Sequence, residues 1–120
     1  TALGIVGAAY TNNDLDLSTA TTLFDLDATL DQIAAQAPAN NGTLSATGKL
    51  TVDTGEAAGL DIYSTLRGGI TVGNEAFAVL TVNGALGFYS VNLLTGKAEF
   101  EDNFKSTDQV VDIAIPLNQR

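Results

Sequence analysis

The stretch that decides the fold is Ala76–Phe100, AFAVLTVNGALGFYSVNLLTGKAEF. Ala76–Val82 and Phe88–Leu93 are rich in β-branched and aromatic residues, and Asn83-Gly84 between them is typical of a tight hairpin turn with positive φ. A second reversal at Leu94–Lys97 returns the chain along the middle strand. The pattern predicts three consecutive antiparallel strands, a β-meander, and says little about chemistry.

The rest of the chain also favours strands. The predicted strands before the meander are Leu3–Tyr10 (buried), Thr22–Asp27, Ile33–Ala37, Thr43–Val52 (half-buried, bent at Gly48) and Leu60–Ser64, and one strand, Val110–Ile115, follows it and is ended by Pro116. Asp53–Gly59 is predicted as a loop, and Leu66–Asn74 as a glycine-rich connection. A helix over Ala28–Ala37 is the alternative to the strand there, because Ala, Leu and Gln have good helix propensity.

These runs predict an all-β fold of antiparallel meanders in one domain, residues 1–120. A weak internal sequence similarity suggests two similar units at about residues 1–53 and 54–116. It relates Phe24-Asp25-Leu26-Asp27 to Tyr89-Ser90-Val91-Asn92, which share an order of aromatic, polar, aliphatic and Asp or Asn residues. Two four-stranded meanders in series are the pattern of propeller blades, so we expect half a propeller. A β-sandwich is the alternative architecture.

Composition excludes several classes of function. Fourteen acidic and five basic residues give a formal net charge of −9, which disfavours nucleic acid and anionic membranes as partners. No apolar run approaches the 18 residues of a membrane span. The chain contains neither cysteine nor histidine, which excludes disulfides, thiolate nucleophiles, Ser-His-Asp triads and ordinary zinc sites. An acidic, cysteine-free chain suits a bacterial extracellular protein, although a reducing cytoplasm would also permit it.

An acidic cluster near the N-terminus is the one candidate metal site. Asp14, Asp16, Asp25 and Asp27, with Asp31 close behind, come before any basic residue, and hard oxygen ligands of this kind suit Ca²⁺. The spacing does not fit an EF-hand loop. The alternative interpretation is a solvated acidic face beside the strands.

Two other carboxylates interrupt apolar runs. Asp61 and Asp112 would have raised pKa values if buried, and paired carboxylates are what glycoside hydrolysis requires. The alternative is that each lies on the solvent face of its strand. Sugar rings could stack on the aromatic residues Tyr10, Tyr63, Phe77, Phe88 and Tyr89. The alternative is that these residues belong to the core, as aromatics in β runs more often do.

Several sequence blocks together carry a family resemblance: AAYTNN at Ala8–Asn13, TTLFDLD at Thr21–Asp27, QAPANNGTL at Gln36–Leu44, GLDIYS at Gly59–Ser64, AFAVLTV at Ala76–Val82 and YSVNLLTG at Tyr89–Gly96. In this order and spacing they resemble the second half of the DUF4394 family, a bacterial domain of unknown function that is often found in secreted proteins. The resemblance implies a β-propeller fold and supplies no catalytic residues. Family members usually carry a comparable stretch before AAYTNN, which implies that this chain is completed by other strands.

The expected function is therefore an extracellular structural or assembly module without enzymatic activity. Half a ring of blades leaves unpaired strand edges, which are templates for copies of the same chain or for a partner chain that supplies the other half. The alternatives are a carbohydrate- or calcium-binding propeller module and a carboxylate-based hydrolase. No cofactor is expected apart from calcium at the acidic cluster.

Overall fold

Two four-stranded antiparallel sheets make up the fold. The computed structural model describes residues 3–105, 110 and 112–116. Sheet 1 contains β1 (Ile5–Tyr10), β2 (Leu23–Asp27), β3 (Gln32–Gln36) and β4 (Leu44–Lys49), and sheet 2 contains β5 (Gly59–Arg67), β6 (Ile70–Val82), β7 (Ala85–Val91) and β8 (Ala98–Asn103). Strands that are neighbours in sequence are neighbours in each sheet. The predicted all-β class and antiparallel meanders are confirmed.

The turns of sheet 2 follow directly from their residues. Asn83 and Gly84 between β6 and β7 have φ values of 53° and 78°, as a hairpin with a type I′ turn requires. In the next turn, the Asn92 Oδ1 atom accepts hydrogen bonds from the backbone N–H groups of Leu94 (2.9 Å) and Thr95 (3.1 Å). Both predicted reversals of the meander are therefore present.

The predicted connection at Leu66–Asn74 is wrong, because these residues extend two strands. Gly68 and Gly69 have φ values of 61° and 79° and form the tight turn between β5 and β6. A Gly-Gly pair is itself a hairpin signal. Gly73 lies within β6 near a register shift, where a glycine is readily accommodated.

The alternative helix over Ala28–Ala37 is also wrong. Gln32–Gln36 forms β3, which pairs with β2 on one side and β4 on the other. Two neighbouring strands satisfy the backbone groups of this segment on both edges, and its Ile33 and Ala34 side chains are buried. Tertiary pairing thus overrides the helix propensity of alanine and glutamine.

Two strands of sheet 1 are less buried than their patterns predict. β1 was expected to be a buried strand, but it lies at the edge of sheet 1, and of its residues only Ala9 is fully buried. In β4 the register shifts where Thr47 is inserted opposite β3, so Ala46 is exposed rather than facing the core. The bend expected near Gly48 corresponds to this irregularity.

The hydrophobic core lies between the two sheets. Its largest fully buried apolar side chains are Leu26, Ile33, Leu50, Ile62 and Leu80. β1 contacts β5 across the core, and a Cβ atom on Gly7 would lie 2.8 Å from the backbone nitrogen of Leu60, so only glycine permits this approach. No helix among the described residues is long and apolar enough to cross a membrane.

The predicted last strand, Val110–Ile115, is not a strand in the part of the chain that the structure describes; Val111 lies outside it. Asp112–Pro116 instead lies beside β5 as an extended segment, which we call the terminal segment. The Ile115 N–H donates a hydrogen bond to Asp61 Oδ2, and Gly59 packs against Asp112 and Ile113.

Candidate functional site

The four aspartates of the predicted metal site lie in two different settings. Asp14 and Asp16 belong to the loop between β1 and β2, whereas Asp25 and Asp27 belong to β2 itself. Within residues 3–105, 110 and 112–116, no group of three or more acidic side chains is placed to hold a metal ion. Each carboxylate has its own surroundings, so we describe them one at a time.

Asp14 attaches the β1–β2 loop to the first hairpin of sheet 2. Its Oδ2 atom accepts hydrogen bonds from the Thr71 backbone N–H (2.9 Å) and hydroxyl (2.7 Å), and its Oδ1 atom accepts one from the Asp16 N–H (2.9 Å). The Thr71 hydroxyl is the main cause that lowers the pKa of Asp14, because it stabilises the charged form. Asp14 therefore acts as a structural acceptor between the sheets.

Asparagine side chains continue this attachment. Asn12 and Asn74 exchange two hydrogen bonds of 2.9 Å, one from the Asn12 backbone N–H to Asn74 Oδ1 and one from Asn74 Nδ2 to Asn12 Oδ1. Ser64 donates its hydroxyl to Asn74 Oδ1 (2.9 Å) and accepts from the Asn13 N–H (3.0 Å). We call these four residues together with Asp14 and Thr71 the polar clamp. Sequence reasoning did not find it, although the TNND run supplied half of its members.

Asp16 and Asp27 both stabilise their own turns. The Ser18 N–H and hydroxyl donate to Asp16 Oδ1, and the hydroxyl is the main cause that lowers the pKa of Asp16. Asp27 Oδ1 accepts from the N–H groups of Thr29 (2.9 Å) and Leu30 (3.0 Å), which closes the turn from β2 to β3. These carboxylates are occupied by backbone donors, as Asx turns require.

Asp25 is different, because it is buried without a complete set of partners. Its side chain is 2% exposed, and its Oδ1 atom accepts no hydrogen bond from any described residue. Desolvation raises the pKa of Asp25, since burial disfavours the charged form. A buried carboxylate oxygen without a hydrogen bond costs free energy, because it has lost its contact with water and gained no protein donor.

Asp25 lies at the centre of what we call the outer face of sheet 1, the face opposite the core. The register places Ala8, Asp25, Ala34 and Ala46 in one row across the four strands. Phe24 and Leu26 point the other way, into the core. Asp25 thus has alanines as its cross-strand neighbours, of which Ala8 and Ala46 are exposed and Ala34 is buried.

The outer face of sheet 1 is bordered by large apolar side chains. Tyr10 on β1 is 45% exposed, Ile5 is 37% exposed, and Leu3 and Leu30 at the same end of the sheet are more exposed still. Tyr10, one of the predicted sugar-stacking residues, thus lies at one end of this face, and Ile5 lies at the other. Exposed apolar side chains that border one sheet face are a feature of interaction sites.

The predicted acid/base pair does not have the burial on which it depended. Asp112 is exposed and Asp61 is half-buried, and the two lie on neighbouring segments, the terminal segment and β5. Asp61 accepts hydrogen bonds from the N–H groups of Ile62 and Ile115, and Asp112 accepts one from Ile113. The structure therefore shows two carboxylates on neighbouring segments, each of which accepts hydrogen bonds from backbone N–H groups.

The remaining aromatic candidates form two ring pairs. Phe77 and Phe88 lie with ring centroids 5.3 Å apart on the face of sheet 2 that points away from the core, and Tyr63 shares that face. Tyr89 is buried in the core and makes an edge contact with Phe100 at 5.6 Å. The expectation that such aromatics often belong to a core applies to Tyr89.

Comparison with known proteins identifies the family but adds no activity. No curated protein and no solved structure matches the chain. The model of one family matches residues 1–114, nearly the whole sequence, as the quoted blocks from AAYTNN to YSVNLLTG predicted. The chain therefore belongs to the family described as domain of unknown function DUF4394.

Proposed function

We propose that this protein is an extracellular structural module that assembles, through unpaired β surfaces, with copies of itself or with a chain that supplies the neighbouring strands. The outer face of sheet 1 is the observation that carries the proposal. It combines exposed apolar side chains with a buried carboxylate oxygen that has no donor in the described chain. A surface that covers the outer face of sheet 1 would remove its exposed apolar side chains from water.

The strand order and the contact between the sheets support this interpretation. Each sheet is a four-stranded meander whose first strand, β1 or β5, approaches the other sheet closely. In a propeller the first strands surround the axis, and neighbouring blades cover both faces of each blade. Within the described residues, sheet 1 has a neighbouring sheet on its core face only, so a further blade from outside would cover its outer face.

The two outermost strand edges are not equally suited to association. β8 carries Glu99, Glu101 and Asp102, whose exposed charges oppose edge-to-edge pairing. β4, the last strand of sheet 1, has one charged residue, Lys49, at its end. The Lys49 ammonium group donates a hydrogen bond to the carbonyl oxygen of Leu30 (2.6 Å). Sheet 1 therefore provides the more receptive edge as well as the more receptive face.

The molecular mass in solution tests the proposal. Light scattering across a dilution series should give a multiple of 12.4 kDa that decreases on dilution. Ala8→Glu places a second carboxylate beside Asp25 on an exposed position and should reduce the mass to that of the monomer. Ala57→Glu, at an exposed alanine in a loop, is the matched control and should assemble as the wild type does.

A folded monomer at every concentration would overturn the proposal. An arm with EDTA addresses the calcium-binding alternative, because loss of assembly or of thermal stability on chelation would favour it. Three of the four proposed calcium ligands already accept hydrogen bonds in the structure, so we expect no effect of EDTA. Detection of the protein in the medium of its native cells would test the extracellular assignment.

A further inference from the structure

The contact between the terminal segment and sheet 2 repeats the contact between the two sheets. Gly7 on β1 packs against the backbone of Leu60, with 2.8 Å from an added Cβ to the Leu60 nitrogen. Gly59 on β5 packs in the same way against the terminal segment, with 2.8 Å to the Asp112 Cα and 3.2 Å to the Ile113 nitrogen. In both places a glycine in the first strand of a sheet allows close contact with the backbone of residues that lie 53 or 54 positions later in the sequence.

The terminal segment also resembles β5 in its local hydrogen bonding and in its alternating burial. Asp61-Ile62 in β5 and Asp112-Ile113 in the segment each contain a carboxylate that accepts a hydrogen bond from the following N–H, at 2.9 Å and 2.8 Å. Along the segment, half-buried residues alternate with exposed ones, Ile113 and Ile115 being half-buried. Alternation of period two is the pattern of a strand with one covered face.

The segment differs from β5 in one respect, its lack of a strand partner. β5 pairs along its length with β6, whereas no backbone–backbone hydrogen bond joins residues 112–116 to another described residue. The Ile115 N–H donates to Asp61, whereas the backbone groups of β5 are paired with β6 in a ladder. Within the described residues, the segment thus has the position of a first strand and an open edge, that is, an edge without a strand partner.

We infer that residues 112–116 form the first strand of a third sheet, completed in trans by a partner chain that adds an antiparallel strand of the β6 type to the open edge. This inference rests on the proposed assembly function and names the form of the partner. β6 is the model for the partner strand because it is what pairs with β5, the strand that the segment repeats. Phe77 and Phe88, both half-buried, lie on the adjoining face of sheet 2 and offer the added strand an apolar support. Addition of a strand to such an edge is a common mode of recognition.

A peptide that copies residues 74–83, NEAFAVLTVN, is the probe, and hydrogen exchange of the backbone N–H groups of residues 112–115 is the readout, because Pro116 has no N–H. We expect the peptide to slow exchange in this segment at least tenfold in the wild-type chain, and a scrambled peptide to have no effect. Gly59→Ala should abolish the protection, because its Cβ would overlap Asp112 and displace the segment. Gly73→Ala is the matched control, since a Cβ there meets nothing within 4 Å.

The outcomes separate this inference from the proposed function. No protection by the peptide, or equal protection in Gly59→Ala, would overturn the inference, even if light scattering shows assembly that depends on Ala8. A chain that is monomeric at every concentration but whose terminal segment the peptide protects would overturn self-assembly and support the inference. Protection by the scrambled peptide would also overturn it, because the pairing would then lack the β6 pattern.

Discussion

Replacing Asp25 by asparagine is expected to raise the free energy of unfolding of the isolated chain at neutral pH. The carboxylate is 2% exposed and one of its oxygens has no partner, so the folded state bears the cost of a desolvated charge. A buried unpaired polar group costs about 1–3 kcal/mol, and more when charged. Asparagine keeps the shape and still leaves a polar atom unpaired, so we expect a gain of about 1–2 kcal/mol.

The difference in the free energy of unfolding between Asp25→Asn and the wild type should depend on pH. Burial raises the pKa of Asp25 in the folded state above its value in the unfolded state. The charged carboxylate therefore destabilises the fold above the folded-state pKa, and this cost disappears as the pH falls through that pKa. The difference between Asp25→Asn and the wild type should be largest at pH 7 and should vanish on acidification to below the ordinary aspartate pKa.

Urea unfolding followed by circular dichroism, at protein concentrations where light scattering shows the monomer, is the assay. Asp53→Asn is the control, because Asp53 is exposed and the substitution changes the net charge by the same amount. Loss of hydrogen bonds to other aspartates at low pH affects wild type and variant alike and cancels in their difference. The reasoning is refuted if Asp25→Asn is no more stable than Asp53→Asn, or if its advantage persists at low pH.

The remaining predictions concern the core and the polar clamp. Leu80→Ala should lower the free energy of unfolding by about 2–5 kcal/mol in urea titrations, because Leu80 is fully buried, whereas Leu94→Ala, at an 83% exposed residue, should change it little. Asn74→Ala removes an acceptor of two hydrogen bonds, from the Asn12 N–H and the Ser64 hydroxyl, and the donor of a third to Asn12 Oδ1, and should cost about 1 kcal/mol, measured by thermal unfolding; an unchanged midpoint would contradict the clamp. The lowered pKa of Asp14 implies stability that is present above its ordinary pKa and lost as the pH falls through the folded-state value, and Thr71→Val should weaken this pH dependence in unfolding curves.

Local turn chemistry explains which parts of the fold the sequence predicted. Asn83-Gly84 and the Asn92 turn depend on residues adjacent in the chain, and both were predicted. Gly68-Gly69 carries an equally local signal, but Gly73 nearby made the whole stretch resemble a loop. The helix alternative at Ala28–Ala37 depended on propensity, and the pairing of β3 on both edges overrode it.

The weak internal sequence similarity predicted two meanders, although the two strands that it relates hold different positions in their sheets. Phe24–Asp27 is the second strand of its sheet, and Tyr89–Asn92 ends the third strand of the other. Both segments are followed by an Asx turn. Asp27 and Asn92 each accept hydrogen bonds from the N–H groups two and three residues later. The true repeat is the glycine contact of Gly7 and Gly59, which no local pattern reveals.

The acidic residues illustrate what a sequence leaves undetermined. A run such as Asn12-Asn13-Asp14 supplies oxygen acceptors, and these can be satisfied by a cation or by N–H groups brought from elsewhere in the chain. In this fold the donors for Asp14 come from Thr71, 57 residues away, and those around Asn12 from Asn74, 62 residues away. Hydrogen bonds stabilise the charged form of Asp14, which lowers its pKa. Among the buried side-chain oxygens of the described residues, Asp25 Oδ1 is the one that accepts no hydrogen bond, and it lies on the outer face of sheet 1 rather than in the loop. A concentration of acidic residues in a loop therefore does not by itself identify a binding site.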